Sequence, residues 1–203
     1  MTVVFVPSQR FERWVANFEA RHGETTFAVA SGSLSGLAAD GSTFTARLPF
    51  EAAYDGAAEA GSFADEVRAP DAWGVLLVRK GGFAVARVTG ERVVDSKVGQ
   101  RHVQGRTKAG GQSQQRFARR RDNQARQAYE AAAGHATRIL GAASMLVVTG
   151  GDRPAVAEVL ADPRLSGLRQ VDPWLAVPDP RRSVLEQAVG DACAIEIEVH
   201  NAG

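Results

Sequence analysis

The sequence predicts an α/β protein in which a mixed β-sheet is flanked by helices. Three runs rich in β-forming residues follow one another between residues 73 and 98, which is typical of a β-meander. From residue 113 to the C-terminus, helical and strand patterns alternate, which indicates further strands joined by helices. A helical pattern and two β-rich runs precede the meander, so we expect an N-terminal α+β extension.

The extension, residues 1–70, begins with an amphipathic helix. Four apolar residues recur at helical spacing within QRFERWVANFEAR, residues 9–21, and Ser8 is the expected N-cap. The runs TTFAVA and STFTARL are predicted strands, and the glycine-containing stretch between them is predicted to be a loop. Residues 51–71 are predicted to be loop with one short helix. We expect the extension to pack on the main domain.

The main domain, residues 71–203, contains the predicted strands WGVLLVRK, FAVARVTG and RVVDSKV. The first is continuously apolar, as expected for a central strand. SMLVVTGG, LRQV and ACAIEIEV are the later predicted strands, with helices in DRPAVAEVLAD, where Asp152 is the expected N-cap, and in RRSVLEQAVG.

The longest helix is predicted from Ser113 to about Leu140. It carries a narrow face of small and apolar residues that can pack closely on a sheet, while arginines lie on another face. The members of the small-residue face are Ala118, Ala125, Tyr129, Ala132, Ala136 and Leu140. Trp73 and Trp174 lie in apolar contexts and are predicted core residues.

Composition argues against several classes of function. Cys193 is the single cysteine, so the chain forms no internal disulfide, and we expect this cysteine to be buried in a strand. The N-terminal apolar run is too short for a signal peptide, and no stretch reaches the roughly 18 apolar residues of a membrane span. The histidines are scattered, so we predict no metal site. These features predict a cytoplasmic protein without cofactor or membrane partner.

Positive charge is concentrated in one segment. Between Lys97 and Arg126 there are nine basic residues and one acid, Asp122, so the segment carries +8 and the remainder −7 of a net charge of +1. Of the 24 basic residues in the chain, 21 are arginine, whose planar fork can bond two phosphate oxygens at once. The clustering predicts local contact with a polyanion.

A basic loop and a glycine pair precede the long helix in RHVQGRTKAGGQSQQRFARRR, residues 101–121. GGQS followed directly by an arginine-rich helix resembles the catalytic loop in the middle domain of the class-I release factor of eukaryotes and archaea. The run RHVQGRTKAGGQS, which leads into this loop, also resembles the Vms-like release-factor family, a family of ribosome rescue factors. The segments LVVTGGD and DPRL fit the same domain, so the resemblance covers about residues 73–203.

The resemblance implies an RNase H-like mixed sheet and a peptidyl-tRNA hydrolase that releases nascent chains on stalled ribosomes. Peptidyl-tRNA and the rRNA of the large ribosomal subunit would be its partners. We expect rescue rather than stop-codon termination, because 203 residues leave no room for a codon-reading domain as well. In register with the family motif, Gly110, Gly111 and Gln112 would form the catalytic loop. The RNA-binding residues would be Arg101, Arg106, Lys108, Ser113, Arg116, Arg119, Arg120 and Arg121.

These residue types suit ester hydrolysis by positioning rather than by acid–base chemistry. Gly110 and Gly111 have no Cβ, so the loop can approach an ester closely. The amide of Gln112 does not titrate near neutral pH. We therefore expect its peptide N–H to stabilise the oxyanion, an interaction worth about 3 kcal/mol, while its side chain helps to place water.

The ribose 2′-OH beside the ester is a candidate proton shuttle. Two alternatives stay open from the sequence. The 2′-OH could instead attack its neighbouring phosphate and cleave the tRNA near its 3′ end, or the basic segment could bind rRNA without catalysis.

Gly150 and Gly151 lack the lysine of a phosphate-binding loop, so they predict a strand-to-helix turn.

Overall fold

A computed structural model describes residues 1–80, 82–100, 112–141 and 144–202, with the side chains of the longest helix described from Arg126 onward. The chain divides into two compact units. The first combines Met1–Pro70 with Val189–Gly203, and the second consists of Asp71–Ala188. Each unit is built on a five-stranded sheet with helices, so the protein belongs to the α/β class.

The strands and helices are numbered in chain order. The strands are β1 (Thr2–Val6), β2 (Thr25–Ala30), β3 (Ser33–Ala38), β4 (Thr43–Arg47), β5 (Trp73–Arg79), β6 (Gly82–Thr89), β7 (Arg92–Gln100), β8 (Met145–Gly151), β9 (Leu168–Leu175) and β10 (Ile195–His200). The helices are α1 (Ser8–His22), α2 (Ala60–Ala64), α3 (Gln112–Leu140), α4 (Arg153–Leu160) and α5 (Arg182–Ala192), with short 3-10 helices η1 (Pro49–Glu51) and η2 (Pro163–Leu165).

The sheet of the first unit is antiparallel throughout, in the order β1-β10-β4-β3-β2. The C-terminal strand β10, which the sequence interpretation grouped with residues 71–203, lies here between β1 and β4. Its alternating pattern buries Ile195 and Ile197 and leaves Glu196 and Glu198 partly exposed. The period of two therefore fits a sheet with one face on a core.

Helix α1 packs its apolar stripe into the core of the first unit. Phe11, Val15 and Phe18 are buried, and the partly buried Trp14 stacks on Phe18 with 5.7 Å between ring centroids. Both rings meet Phe44 of β4 edge-on at 5.2 Å. This burial confirms the predicted amphipathic helix.

Three details of the first unit differ from the prediction. β1 was not predicted, because its short apolar run pairs with β10 at the other end of the chain. The stretch predicted as a loop between β2 and β4 contains β3, whose Gly36 lies under the Phe44 ring. Ser8 is the first residue of α1 rather than its N-cap. Pro7 occupies the cap position and has no side-chain oxygen to accept a bond.

The second unit contains a mixed sheet in the order β7-β6-β5-β8-β9. The β5–β6–β7 meander is antiparallel, whereas β8 pairs in parallel with β5 and β9. Every residue from Trp73 to Val78 is buried, which confirms β5 as a central strand. The mixed sheet with flanking helices is thus confirmed.

Helix α3 packs on this sheet through small residues. Ala132, Ala136 and Leu140 are buried and Tyr129 is partly buried, which confirms the described part of the predicted face. Ala118 and Ala125 lie among the residues whose side chains are not described.

Two predicted core residues occupy different surroundings from those expected, while a third is confirmed. Trp73 is fully buried, and its indole Nε1–H donates to the Gly90 carbonyl at 2.7 Å. Trp174 is only partly buried, with the Arg153 guanidinium 4.2 Å from its ring centroid. Cys193 is buried as predicted, but it lies in the turn between α5 and β10 rather than in a strand.

Candidate functional site

The predicted catalytic loop lies in the segment between β7 and α3. Its two glycines and three of the basic residues lie outside the described residues: Gly110, Gly111, Arg101, Arg106 and Lys108. The other predicted site residues have their backbone in about the first three turns of α3, although their side chains are not described. These are Gln112, Ser113, Arg116, Arg119, Arg120 and Arg121.

Strand β7 ends at the sheet edge where the other strands of its direction also end. β6 is antiparallel to both β5 and β7, and β8 and β9 are parallel to β5, so these four strands share one direction. Gln100, the last residue of β7, pairs with Gly82, which in turn pairs with Arg79 at the end of β5. The segment that carries the motif therefore starts at the carboxyl edge of the sheet, where open α/β folds bind ligands.

A cluster of charges occupies this edge at the ends of β5 and β8. The Nε atom of Arg79 lies 3.8 Å from the carboxylates of both Asp152 and Asp179. Its NH1 donates to the Val177 carbonyl at 2.8 Å. The hydrogen bond, rather than the long ion pairs between partly exposed groups, holds this arginine in place.

The last two residues of β8 are glycines, and α4 begins two residues after them. A Cβ on Gly150 would lie 2.3 Å from the Leu175 carbonyl oxygen, and one on Gly151 would lie 2.3 Å from that of Val78. Gly151 also has φ +100°, which a residue with a side chain rarely adopts. The predicted strand-to-helix turn is confirmed. Asp152 occupies the predicted N-cap position of α4, although its side chain makes no cap hydrogen bond.

The Phe83 ring contacts both β7, which precedes the segment with the Gly-Gly-Gln motif, and α3, which follows it. The Phe83 ring lies over Gly99 of β7, where a Cβ would lie 2.3 Å from the ring. It also stacks on His135 of α3, with 5.5 Å between centroids and 26° between planes. A second link runs from NH1 of Arg138 in α3 to the Asp95 carboxylate in β7, at 3.1 Å. The Phe83 contacts hold β7 and α3 against each other, and the exposed ion pair adds little to them.

Helix α3 is anchored by its C-terminal part. Its 29 residues extend about 43 Å, and its fully buried described side chains all lie between Ala132 and Leu140. Tyr129 marks the start of this packed part. Burial raises the pKa of its hydroxyl, and Glu158 adds to the effect. Gln112 lies about 25 Å from Tyr129 along the helix axis.

The sequence interpretation did not identify the contacts at the sheet edge. Phe83, Gly99 and His135 come from three elements, and no local pattern relates them. The sequence of predicted strands could have indicated this edge. A meander followed by strands parallel to its first strand places the carboxyl ends of β5, β7 and β8 at the same edge of the sheet.

Within the described ranges, no three His, Cys, Asp or Glu side chains lie close enough together to hold a metal ion. Of the helices in the described part of the chain, none is both long and apolar enough to cross a bilayer.

A family model described as the Actinobacteria/chloroflexi VLRF1 release factor matches residues 71–198. The match includes β5 to β9, the motif segment and α3, and it covers more than half of the chain. It begins where the N-terminal segment of the first unit ends. None of the curated proteins matches the chain.

Proposed function

The chain belongs to the VLRF1 release factor family, and we propose that it is a peptidyl-tRNA hydrolase that releases nascent chains on stalled ribosomes. One observation carries the proposal: the family match spans the segment in which Gly110 and Gly111 directly precede the arginine-rich α3, whose first residue is Gln112. Peptidyl-tRNA and the rRNA of the large subunit would be its partners in the cytoplasm. The second unit, residues 71–188, would supply the catalytic domain, with an RNase H-like sheet, and residues 1–70, which share the first unit with the C-terminal strand, would be an extension of it.

The start of α3 at Gln112 supports the proposed role of this residue. The first four N–H groups of a helix have no partner within the helix, and the helix dipole adds partial positive charge at the same end. Gln112 is the first residue of a 29-residue helix. Its peptide N–H is therefore among the donors that a developing oxyanion can use.

In the proposed reaction, water attacks the ester carbonyl and forms a tetrahedral oxyanion. The Gln112 N–H donates to this oxyanion, and the Gln112 side chain orients the water. The water proton passes through the ribose 2′-OH to the departing 3′-oxygen, so the products are a free peptide acid and an intact tRNA. The arginines of α3 would bind phosphates of tRNA or rRNA, which fixes the position of the loop but adds no sequence specificity.

Two substitutions at Gln112 distinguish the contribution of its side chain from that of its peptide N–H. Gln112→Ala removes water placement but keeps the N–H. Gln112→Pro also removes the N–H, and proline is tolerated at the first position of a helix. We expect Gln112→Ala to abolish most release, and Gln112→Pro to lower any residual rate by a further factor of roughly 10²–10³. Gln115→Ala, in the same helical turn, is the matched control and should release peptide normally.

The assay uses stalled peptidyl-tRNA–ribosome complexes and measures both the freed peptide and the tRNA 3′ end. Release with an intact terminal adenosine supports the proposal. A shortened tRNA with a cyclic phosphate would instead indicate the nuclease reaction. If folded Gln112 variants act like the parent while Arg119→Ala and Arg120→Ala weaken RNA binding and flatten its salt dependence, the protein is a non-catalytic RNA-binding module.

A further inference from the structure

Two glycines of the mixed sheet lie directly beneath the contacts of helix α3. A Cβ on Gly74 of β5 would lie 2.7 Å from a methyl group of Leu140, the last residue of α3. A Cβ on Gly99 of β7 would lie 2.3 Å from the Phe83 ring, on which His135 of α3 stacks. Both distances fall below the 3.4 Å at which ordinary van der Waals contact begins, so a larger residue at either position must displace its neighbour.

The two contacts lie on the same face of the sheet. Leu76, two residues after Gly74 in β5, belongs to the core that contains the buried residues of α3. Gly99 pairs with Phe83, which belongs to the same core. Helix α3 is therefore supported at two points, by Gly74 beneath its last residue and by Gly99 through the Phe83 ring.

The two supports lie close together compared with the length of the helix. His135 and Leu140 are about 7.5 Å apart along the axis, whereas Gln112 lies about 42 Å from Leu140. A rigid helix that is raised at His135 and held at Leu140 therefore moves about five times as far at Gln112. A Cβ on Gly99 requires the Phe83 ring to rise by roughly 1 Å, which would move Gln112 by about 5 Å.

We propose that Gly74 and Gly99 are positioning residues, which set the direction of α3 and thereby the place of Gln112. The inference rests on the proposed function, in which Gln112 must meet an ester. Where catalysis depends on positioning, a misplacement of about 1 Å can cost roughly two orders of magnitude in rate. Release should therefore depend on these two glycines of the sheet as well as on the motif itself.

Pulsed electron paramagnetic resonance measures the direction of α3 independently of catalysis. Spin labels are attached through Gln115→Cys, near the start of α3, and Ser183→Cys, at an exposed position of α5, in a Cys193→Ala chain. Arg182 of α5 donates to the Ser96 side chain of β7 at 2.9 Å, on the sheet face opposite α3. The distance between the labels therefore reports how far the start of α3 lies from the sheet.

The two glycines should have opposite effects on this distance. We expect Gly99→Ala to lengthen it by at least about 2 Å, because the helix rises at His135, and Gly74→Ala to shorten it, because the helix rises at Leu140. Gly134→Ala is the matched control, because no atom outside its own helix backbone and chain neighbours lies within 4 Å of the added Cβ. An equal shift in this control would overturn the inference.

A second variant removes a support without adding bulk. His135→Ala ends the stacking on Phe83, so the distribution of label distances should broaden. In this background Gly99→Ala should shift the mean distance less, because the contact that transmits the displacement is absent. Circular dichroism checks that each variant is folded. Unchanged distances in the folded glycine variants, or an unchanged distribution in His135→Ala, would overturn the inference.

The release assay with stalled peptidyl-tRNA–ribosome complexes distinguishes this inference from the proposed function. Gly99→Ala should lower kcat at least tenfold and leave KM within about twofold, because the arginines proposed to bind RNA are unchanged. Gly134→Ala should match the parent. If the parent releases no peptide but the label distances shift as expected, the proposed function fails and the two-point support of α3 stands. A shifted distance with an unchanged kcat in an active parent would show that the glycines do not position Gln112 for release.

Discussion

Asp162 illustrates how a local hydrogen-bond network fixes both a conformation and a charge. Its Oδ1 accepts hydrogen bonds from the backbone N–H and the Nε–H of Arg164, each at 2.9 Å, and its Oδ2 accepts one from NH2 at 2.6 Å. Asp162 is thereby the N-cap of η2. The Arg164 side chain, followed by its backbone N–H, lowers the pKa of Asp162 from 3.8 to about 2. The ionised carboxylate is the form that the fold favours.

This depressed pKa predicts a specific contribution to acid denaturation. Because the folded pKa lies below the unfolded value, ionised Asp162 contributes stability above about pH 4, and this is lost as the pH falls through about 2. We expect Asp162→Asn to be less stable than the parent at about pH 5, with the difference shrinking towards about pH 2. Urea unfolding across this range measures it, with Asp71→Asn as control. A difference that stays constant with pH would contradict the assignment.

At the scale of elements, local periodicity predicted most of the fold. Helix α1 and strand β5 were predicted because the apolar pattern of each is complete within its own short segment. Strands β1 and β3 were missed for physical reasons. β1 is short and is defined by pairing with a strand almost two hundred residues away, and β3 carries a glycine that indicated a loop. Pairing with other strands formed both, and local propensity does not report such pairing.

Gly36 gives a test of this explanation. It is paired with Phe44 across the β3–β4 ladder, and a Cβ on it would lie 2.3 Å from the Phe44 ring. Gly36→Val raises β propensity, yet we expect it to lower the free energy of unfolding by about 1–3 kcal/mol because the ring must move. Thermal unfolding followed by circular dichroism measures the change.

The neighbouring residue supplies the control for this experiment. Ser35 points to the other face of β3, and its hydroxyl donates to the Ala28 carbonyl at 3.2 Å. Ser35→Thr keeps this hydroxyl and also raises β propensity, so it should be neutral or slightly stabilising. Equal stabilisation by both substitutions would show that propensity, not the Phe44 contact, governs β3.

At the scale of the whole molecule, features within one segment could be predicted from the sequence, whereas contacts between distant elements could not. Gly-Gly-Gln and the arginines of α3 lie in one segment, so the motif and the family could be identified, and the family is confirmed. The roles of Gln112 and the arginines stay predictions. The contacts of Phe83 with Gly99 and His135, and those of Arg79 at the sheet edge, depend on strand order. Strand order is set by long-range pairing, which no short pattern encodes.

The C-terminal strand β10 belongs to the first unit, so we predict that the stability of the N-terminal strands depends on it. β10 pairs with both β1 and β4, and in the described part of the chain it is the only partner of β1. Its Ile195 and Ile197 are fully buried, and losing each such side chain costs about 2–5 kcal/mol. Deleting residues 195–203 should therefore remove a stabilisation comparable to that of a whole small domain.

Hydrogen exchange with mass spectrometry measures this effect strand by strand. We expect the deletion of residues 195–203 to remove protection from β2, β3 and β4, while β5 and β8 stay protected by the second unit's own core. Deleting residues 1–6 is the matched control. It removes an edge strand with one neighbour, so β2 to β4 should keep most of their protection. If protection of β3 and β4 survives the loss of β10, the first unit does not need the C-terminal strand to close its core.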